Sequence, residues 1–203
     1  LLIVIPPSLG QVFSHHEATS GMGALTPGPR AFLYPPHTVA LCAASVQQSG
    51  MRVQVLDAAG SRLAARAAIE QVVGGGPIRR PAGVLAVLVS QGTELADGHF
   101  LRQLRRTGCE GPILLFGPSA AFVAGSLLAE GLADAALIGE PEAALAGAAS
   151  AVMAGRRGVL PACDVAPARY EDGNLVRDLD ALPLPQWSLA DWRPYGAASL
   201  LSR

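Results

Sequence analysis

Several residue types are absent or scarce in this sequence, and each shortage excludes a class of protein. The 203 residues include no lysine, and the 15 basic residues are arginines scattered along a chain with a formal net charge of -1. A nucleic-acid-binding domain needs a basic cluster, so this function is not expected. Only 5% of the residues are aromatic and 50% are apolar, so the core must consist mainly of Ala, Leu and Val.

Cysteines and long apolar runs are also scarce. Cys42, Cys109 and Cys163 are far apart, and no CxxC pair occurs. This spacing indicates neither a disulfide framework nor a zinc site, and it favours a reducing, cytoplasmic location. No apolar run reaches the length of a membrane span, about 18 residues. The apolar residues 1–5 are too short for a signal peptide and have no basic flank.

Short apolar runs, each followed by a turn and a helical period, are abundant. Five runs predict buried parallel strands over residues 1–5, 52–56, 83–89, 112–116 and 134–138. The spacing of apolar residues predicts helices over residues 38–48, 61–73, 96–106, 120–130 and 143–154. Such strand–helix units, joined by right-handed crossovers, predict an α/β fold with a doubly wound, flavodoxin-like (Rossmann-like) sheet of five parallel strands.

Three segments fall outside this pattern. Residues 8–36 contain Gly, Pro, Ser and His with little periodicity, which predicts a long loop of the kind that is usually functional or mobile. Residues 158–162 and 168–175 predict a C-terminal hairpin that turns at residues 171–174. The Pro-rich residues 177–187 predict a strap or linker that packs on a neighbouring element.

These segments predict two parts of the chain. We expect an α/β domain over residues 1–157, and a hairpin and linker over residues 158–203. The chain begins without Met and stops shortly after the apolar pair Leu200-Leu201. We therefore expect it to be a piece of a longer protein.

The turns that follow the strands form the candidate ligand site. In open parallel sheets, ligands bind outside the carboxyl ends of the strands, where small residues allow a flat ligand to approach the backbone. Helix starts at this edge supply hydrogen-bond donors. The candidate cofactor-binding residues are Pro7, Ser8, Ser90, Gln91, Gly92, Thr93, Gly117, Pro118, Ser119, Gly139, Glu140 and Pro141. No residue is predicted to be catalytic or to bind a metal.

Other chemistries are disfavoured. Asp57 follows the second predicted strand, as a phosphoacceptor would, but the acidic pair and the lysine of a receiver domain are missing. Neither GxGxxG after residues 1–5 nor a P-loop occurs. His15-His16-Glu17 has metal-ligand character, but no third ligand stands at a defined spacing, so we interpret these residues as part of a solvated loop.

Five short motifs together match one known family. They are Pro6-Pro7 after the first strand, the P-P-x-x-x-A-x-x-A-A-x-x-x-x-x-G pattern from Pro35 to Gly50, Leu56-Asp57-Ala58, Ile138-Gly139-Glu140-Pro141-Glu142, and D-L-D-A-L-P-L-P at residues 178–185. The fourth motif is the most specific. With these motifs the whole chain resembles the cobalamin-binding N-terminal region of the B12-binding radical SAM proteins.

The resemblance implies that the chain binds cobalamin and leads into a radical SAM barrel. That barrel would hold a [4Fe–4S] cluster on a CxxxCxxC motif and cleave S-adenosylmethionine. The implied parent enzyme is a methyltransferase using methylcobalamin, or an enzyme of related radical chemistry, acting on a small-molecule or peptide substrate. Ser202-Arg203 match the S-R that precedes the cluster cysteines in this family. The fragment alone is therefore expected not to catalyse.

Two features depart from related patterns. The D-x-H-x-x-G motif of methylmalonyl-mutase-type B12 domains is missing, so the resemblance does not imply a histidine ligand to cobalt. Phe116-Gly117-Pro118 stands where a Gly-Gly pair is common. Two other interpretations stay open: a stand-alone flavodoxin-like module that binds another flat or phosphorylated ligand, and a non-catalytic domain that docks a partner.

Overall fold

A parallel sheet forms the centre of the computed structural model, which describes residues 1–10, 12–19, 22–27, 34–74, 83–171, 174–189 and 195. The strands are β1 (Leu2–Ile5), β2 (Val12–Thr19), β3 (Met22–Pro27), β4 (Gln54–Asp57), β5 (Leu85–Leu88), β6 (Ile113–Phe116), β7 (Ala135–Ile138), β8 (Gly158–Pro161), β9 (Tyr170–Glu171) and β10 (Leu175–Val176). The α-helices are α1 (His37–Gln48), α2 (Ala65–Gly74), α3 (Glu94–Arg106), α4 (Ala120–Ala129), α5 (Leu145–Met153) and α6 (Ala162–Val165). Short 3₁₀ helices are formed by Pro167–Arg169, Leu179–Ala181 and Trp187–Leu189.

The central sheet has six parallel strands in the order β4-β1-β5-β6-β7-β8. Helices α1 and α5 cover one face of the sheet, and α2, α3 and α4 cover the other. The winding direction changes between β1 and β5, which is the topological switch point of a doubly wound sheet. The predicted doubly wound, flavodoxin-like α/β fold is confirmed.

The strands are apolar on both sides because both faces of the sheet are covered. In β5, Leu85 and Val87 pack towards α2, α3 and α4, whereas Ala86 and Leu88 pack towards α1 and α5. Successive side chains of a strand point to opposite faces, so a strand buried on both faces reads as a continuous apolar run. This is why the sequence pattern located these strands.

The prediction of five strands was wrong by one. Residues Gly158–Pro161 form β8, which pairs parallel with β7 and adds a sixth strand. None of the described residues between 168 and 175 pairs with them. The antiparallel pair near the C-terminus is instead β9 with β10, in which Val176 lies opposite Tyr170. Only Val159 and Leu160 in this run have strand character. Two such residues do not tell from sequence whether the strand pairs in parallel or antiparallel.

The predicted long loop also contains regular structure. Strands β2 and β3 form an antiparallel hairpin in which Phe13 lies opposite Thr26 and His15 lies opposite Ala24, with an irregular register after His15. The sequence of β2, V-F-S-H-H-E-A-T, does not alternate apolar and polar residues. Its strand character was therefore invisible to a periodicity argument.

The segment after β10 packs against α1, as expected for a strap. Gln186 donates its N–H to the carbonyl of Ala40 over 2.9 Å, and the ring centroids of Trp187 and His37 are 5.7 Å apart. The division at residue 157 stays a prediction, although β8 continues the sheet beyond it. The residues Asp172, Gly173 and Ser202-Arg203, used in the sequence predictions, lie outside the described residues. Among the described helices, none combines the length and the apolar character needed to cross a membrane.

Candidate functional site

The β2–β3 hairpin lies across the carboxyl edge of the sheet, where the parallel strands end. Ser90, which follows β5, donates a hydroxyl hydrogen bond to the carbonyl of His16. Gly23 donates its N–H to the carbonyl of Gln91 over 2.8 Å. A Cβ atom on Gly23 would lie 2.9 Å from Cγ2 of Thr93, so the hairpin backbone is in close contact with this turn. The turn after β5 is therefore held under the hairpin.

A buried hydrogen-bond network joins the hairpin to α3. Nε2 of His16 lies 2.7 Å from Oδ1 of Asp97, and Oδ2 of Asp97 accepts the hydroxyl of Thr93 over 2.8 Å. Solvent reaches 2% of the His16 side chain and 0% of the Asp97 side chain. Because the protein encloses both groups, this network holds the hairpin in position against α3.

The next residue of β2 contacts the opposite layer of the protein. Successive strand residues point to opposite sides, so His16 faces α3 and Glu17 faces α1. Oε2 of Glu17 accepts the N–H of Thr38, at the start of α1, over 3.0 Å. Burial raises the pKa of Glu17 to about 7, against the lowering effect of this hydrogen bond. The interpretation of a solvated His15-His16-Glu17 loop was wrong, because the hairpin packs both histidines out of solvent.

A void of about 20 Å³ lies under the hairpin, beside His15, Glu17 and Tyr34. Nε2 of His15 and Oε1 of Glu17 face no hydrogen-bond partner there among the described residues. The void has room for one water molecule. Burial, with the neighbouring His16, lowers the pKa of His15. Within the described part of the chain, no group of three His, Cys, Asp or Glu residues is placed to bind a metal ion.

The β9–β10 hairpin covers a second part of the edge, the turn after β7. Glu140 donates its N–H to the carbonyl of Asn174 over 3.2 Å, and its carboxylate accepts the N–H of Val176 over 2.6 Å. The hydroxyl of Tyr170 donates to the carbonyl of Glu140. Gly139 has φ +107°, and a Cβ atom there would lie 2.4 Å from Cβ of Asn174. The carboxylate of Glu140 is thus an internal acceptor that fixes this turn.

Asp57, at the end of β4, is also enclosed. One of its carboxylate oxygens accepts the N–H of Gly60 over 2.8 Å, and the other accepts the hydroxyl of Tyr195. Only 6% of the Asp57 surface is exposed. The carboxylate therefore closes a turn and anchors a residue near the C-terminus, which agrees with the sequence argument against a phosphoacceptor.

The twelve candidate residues divide into a buried and an accessible half. The buried residues are Pro7, Ser90, Thr93, Gly117, Ser119 and Pro141, and the accessible ones are Ser8, Gln91, Gly92, Pro118, Gly139 and Glu140. The accessible residues after β5, β6 and β7 lie side by side because these strands are neighbours in the sheet. Oγ of Ser119 accepts the N–H of Gln91 over 2.9 Å and joins the first two turns. We call Gln91, Gly92, Pro118 and Gly139 the shelf.

An open cleft of about 460 Å³ adjoins the edge on the side of α2 and α3. Pro7 and Ser8 of the predicted set line it, together with Phe13, Arg62 and His99, which the sequence analysis did not select. The sequence analysis placed Arg62 inside a helix that starts at residue 61. The helix α2 begins only at Ala65, so Arg62 lies in the turn that precedes it. The sole sequence signal for that turn was Gly60-Ser61.

The sheet order and the helices on both faces define a flavodoxin-like, Rossmann-like α/β domain. Among solved structures, the chain is similar to the radical S-adenosylmethionine methyltransferase TsrM from Kitasatospora setae, determined with tryptophan substrate and the SAM analogue aza-SAM bound. The TM-score is 0.52 at 18% identity, and the match covers 76% of this chain and 26% of that one. The chain thus corresponds to about a quarter of that enzyme. No family model and no curated protein matches the chain.

Proposed function

We propose that this chain is the cobalamin-binding domain of a cobalamin-dependent radical SAM enzyme, most simply a methyltransferase. The observation that carries the proposal is the shared fold with part of a radical SAM methyltransferase, over 76% of this chain. The motifs that resemble the B12-binding radical SAM proteins add independent support. Three of them, at Pro6-Pro7, Asp57 and Gly139-Glu140, lie at the carboxyl ends of β1, β4 and β7, at one edge of the sheet.

The turns that form the shelf are built on glycines with positive φ. Gly92, Gly117 and Gly139 have φ values of +96°, +139° and +107°. A Cβ atom at these positions would lie 2.7, 2.6 and 2.4 Å from neighbouring protein atoms. Protein atoms fill the space beside these glycines, with Gly23 next to Gly92 and Asn174 next to Gly139. In this proposal the ring therefore lies on the exposed surface of Gln91, Gly92 and Pro118. The exposed carboxamide of Gln91 is suited to hydrogen-bond the amide groups on the rim of a corrin.

The chain's own part in the reaction is to bind and orient the cofactor. Cobalamin, when bound, supplies the cobalt-centred methyl transfer. In this proposal Gln91 hydrogen-bonds a peripheral amide, while Pro118 and Gly139 pack against the ring. The β2–β3 hairpin covers the sheet edge beside the shelf and excludes water from it. The buried residues Ser90 and Thr93 contribute by holding that hairpin rather than by touching the ligand.

The remaining chemistry belongs to a further domain. The [4Fe–4S] cluster and S-adenosylmethionine would lie in a radical SAM barrel of the same protein, which also binds the small-molecule or peptide substrate. The proposal includes a cytoplasmic location, and the three free cysteines support it. The coding sequence beyond Arg203 tests this part of the proposal, which requires a CxxxCxxC motif shortly downstream.

A cobalamin titration of the chain tests the binding step. We expect hydroxocobalamin to bind with a dissociation constant of about 10 μM or lower, seen as an absorbance change and by equilibrium dialysis. Pro118→Arg places a bulky charge on the shelf and should weaken binding at least about tenfold. Met153→Arg, at an exposed helix end near the opposite edge of the sheet, is the matched control. Absence of binding by the parent chain, or equal weakening by both variants, would contradict the proposal.

A further inference from the structure

The β2–β3 hairpin adds little to the apolar core that holds the rest of the chain together. None of its described residues belongs to either of the two apolar clusters that pack between the sheet and its helices. Among its described side chains, Phe13 is the only apolar one that is buried, and Met22 and Leu25 are already 47% and 43% exposed. Lifting the hairpin would therefore expose little new apolar surface, and exposing apolar surface is the main cost of separating two parts of a protein.

Hydrogen bonds, rather than apolar packing, hold the hairpin on the carboxyl edge. Four of them cross from the hairpin to the rest of the chain, where their partners are Ser90, Gln91, Asp97 and Thr38. When the hairpin lifts, water can replace each of these partners, so the net contribution of a hydrogen bond to the closed position is modest.

The closed position also leaves polar atoms of the hairpin buried without a hydrogen bond. Within the described part of the chain there are seven such side-chain atoms, and five lie on the hairpin: Ser14 Oγ, His15 Nε2, His16 Nδ1, Glu17 Oε1 and Thr26 Oγ1. Buried polar groups in native proteins are nearly always paired. The void beside His15 and Glu17 has room for one water molecule, but Thr26 does not line it. Because water reaches these atoms once the hairpin lifts, each of them favours opening.

We propose that the β2–β3 hairpin is a lid that lifts from the carboxyl edge as a unit while the α/β core stays folded. Gly10 lies in the connection from β1, and a Cβ atom there would meet nothing within 4 Å, so this point is not packed against the core. The backbone of Gly23 lies against Gly92 at the border of the shelf. Lifting the lid would clear that border and uncover Ser90 and Thr93.

The lid would set how readily a ligand enters and leaves the shelf. This role rests on the proposed function, because it needs a ligand at the shelf. The lifting itself needs no cobalamin, so an experiment without the cofactor can overturn the lid and leave the proposed function standing.

Native-state hydrogen exchange on the full chain without cobalamin tests the proposal. The N–H groups of Gly23 and Thr38 donate across the boundary of the lid, whereas the N–H of Val89 donates to the carbonyl of Phe116 within the sheet over 2.9 Å. Relative to their intrinsic rates, we expect Gly23 and Thr38 to exchange at least about tenfold faster than Val89. Their exchange should also depend less on urea, because opening the lid exposes less surface than global unfolding. Equal protection and equal urea dependence of all three amides would overturn the proposal.

Two variants separate opening of the lid from unfolding of the core. Thr26→Val removes a buried hydroxyl that has no partner, so it should favour the closed lid and slow exchange at Gly23 by at least about fivefold. Val152→Ala, in the core on α5 at 1% exposure, lowers only the stability of the core. It should speed exchange at Val89 by about tenfold or more and leave Gly23 unchanged. Equal acceleration of both amides in Val152→Ala, or unchanged exchange at Gly23 in Thr26→Val, also overturns the proposal.

Discussion

The imidazole of His16 and the carboxylate of Asp97 are joined over 2.7 Å between Nε2 and Oδ1, although 81 residues separate them in sequence. The contact joins the β2–β3 hairpin to α3, on the carboxyl edge of the sheet. Glu17 makes the corresponding contact with α1 through Thr38. Neighbouring residues of one strand thus bind helices on opposite faces of the sheet. This explains how a hairpin with few apolar residues remains in place.

Removing the carboxylate of Asp97 should destabilise the fold strongly. Asp97→Ala leaves His16 and Thr93 buried without their acceptor, which costs about 3–5 kcal/mol in the free energy of unfolding. Urea denaturation measures this loss, and faster hydrogen exchange at Gly23 would localise it to the hairpin. His99→Ala, on the exposed side of α3, is the control and should change stability by about 0.5 kcal/mol or less. Similar losses in the two variants would show that the buried network contributes little.

The buried carboxyl of Glu17 should make stability depend on pH. Its pKa rises from 4.5 to about 7 on folding, so the folded chain keeps a proton that the unfolded chain releases in that window. The free energy of unfolding therefore falls as pH rises from 4.5 to 7, by about 2–3 kcal/mol from this group. Glu17→Gln cannot release a proton and should gain this amount relative to the parent across the window. Parallel pH profiles for the two proteins would contradict the prediction.

Alanine substitutions at three glycines should separate backbone strain from steric conflict. Gly139→Ala combines φ +107° with a contact of 2.4 Å to Asn174 and should cost about 2 kcal/mol or more. Gly131→Ala has φ +68° but nothing within 4 Å, so it should cost about 1 kcal/mol. Gly125→Ala lies on the exposed side of α4 in open space and should stabilise by about 0.5–1 kcal/mol. Any other order of melting temperatures would contradict this account.

The hydroxyl of Tyr170 should be required for the turn after β7. It donates to the carbonyl of Glu140 and accepts the N–H of Ala143 over 3.2 Å. Tyr170→Phe leaves both part-buried backbone groups without this partner and should cost about 1–3 kcal/mol. Hydrogen exchange at Glu140 and Val176 should become faster in the variant. Unchanged exchange at these two amides would show that the β9–β10 hairpin holds the turn without the hydroxyl.

Much of the fold was predictable because a covered parallel sheet leaves a local signature. Each central strand is a continuous apolar run, and each helix repeats its apolar residues at helical spacing. The convergence of the strand-end turns at one edge followed from the parallel topology. The sixth strand was missed because β8 contains only Val159 and Leu160 as strand-forming residues. A run this short takes its direction from its neighbours rather than from its own sequence.

The candidate site was predictable only in outline. Sequence reasoning selected Ser90 and Thr93 as well as Gln91 and Gly92, but it could not tell which would be covered. Coverage depends on the β2–β3 hairpin, whose polar residues have partners far away in the chain. The positive φ of Arg62 was likewise not predictable, since it is a property of the turn around this residue.

By itself, the sequence determined the layered α/β architecture, and it contains the motifs behind the predicted ligand edge and the resemblance to cobalamin-binding domains. These features depend on local periodicity and on short motifs. Each of these signals is complete within one short stretch of the chain. Only the tertiary structure decided which turn residues remain accessible, which histidine is paired with Asp97, and that a cleft opens beside Arg62. These depend on contacts between segments distant in sequence, and no local pattern specifies such contacts.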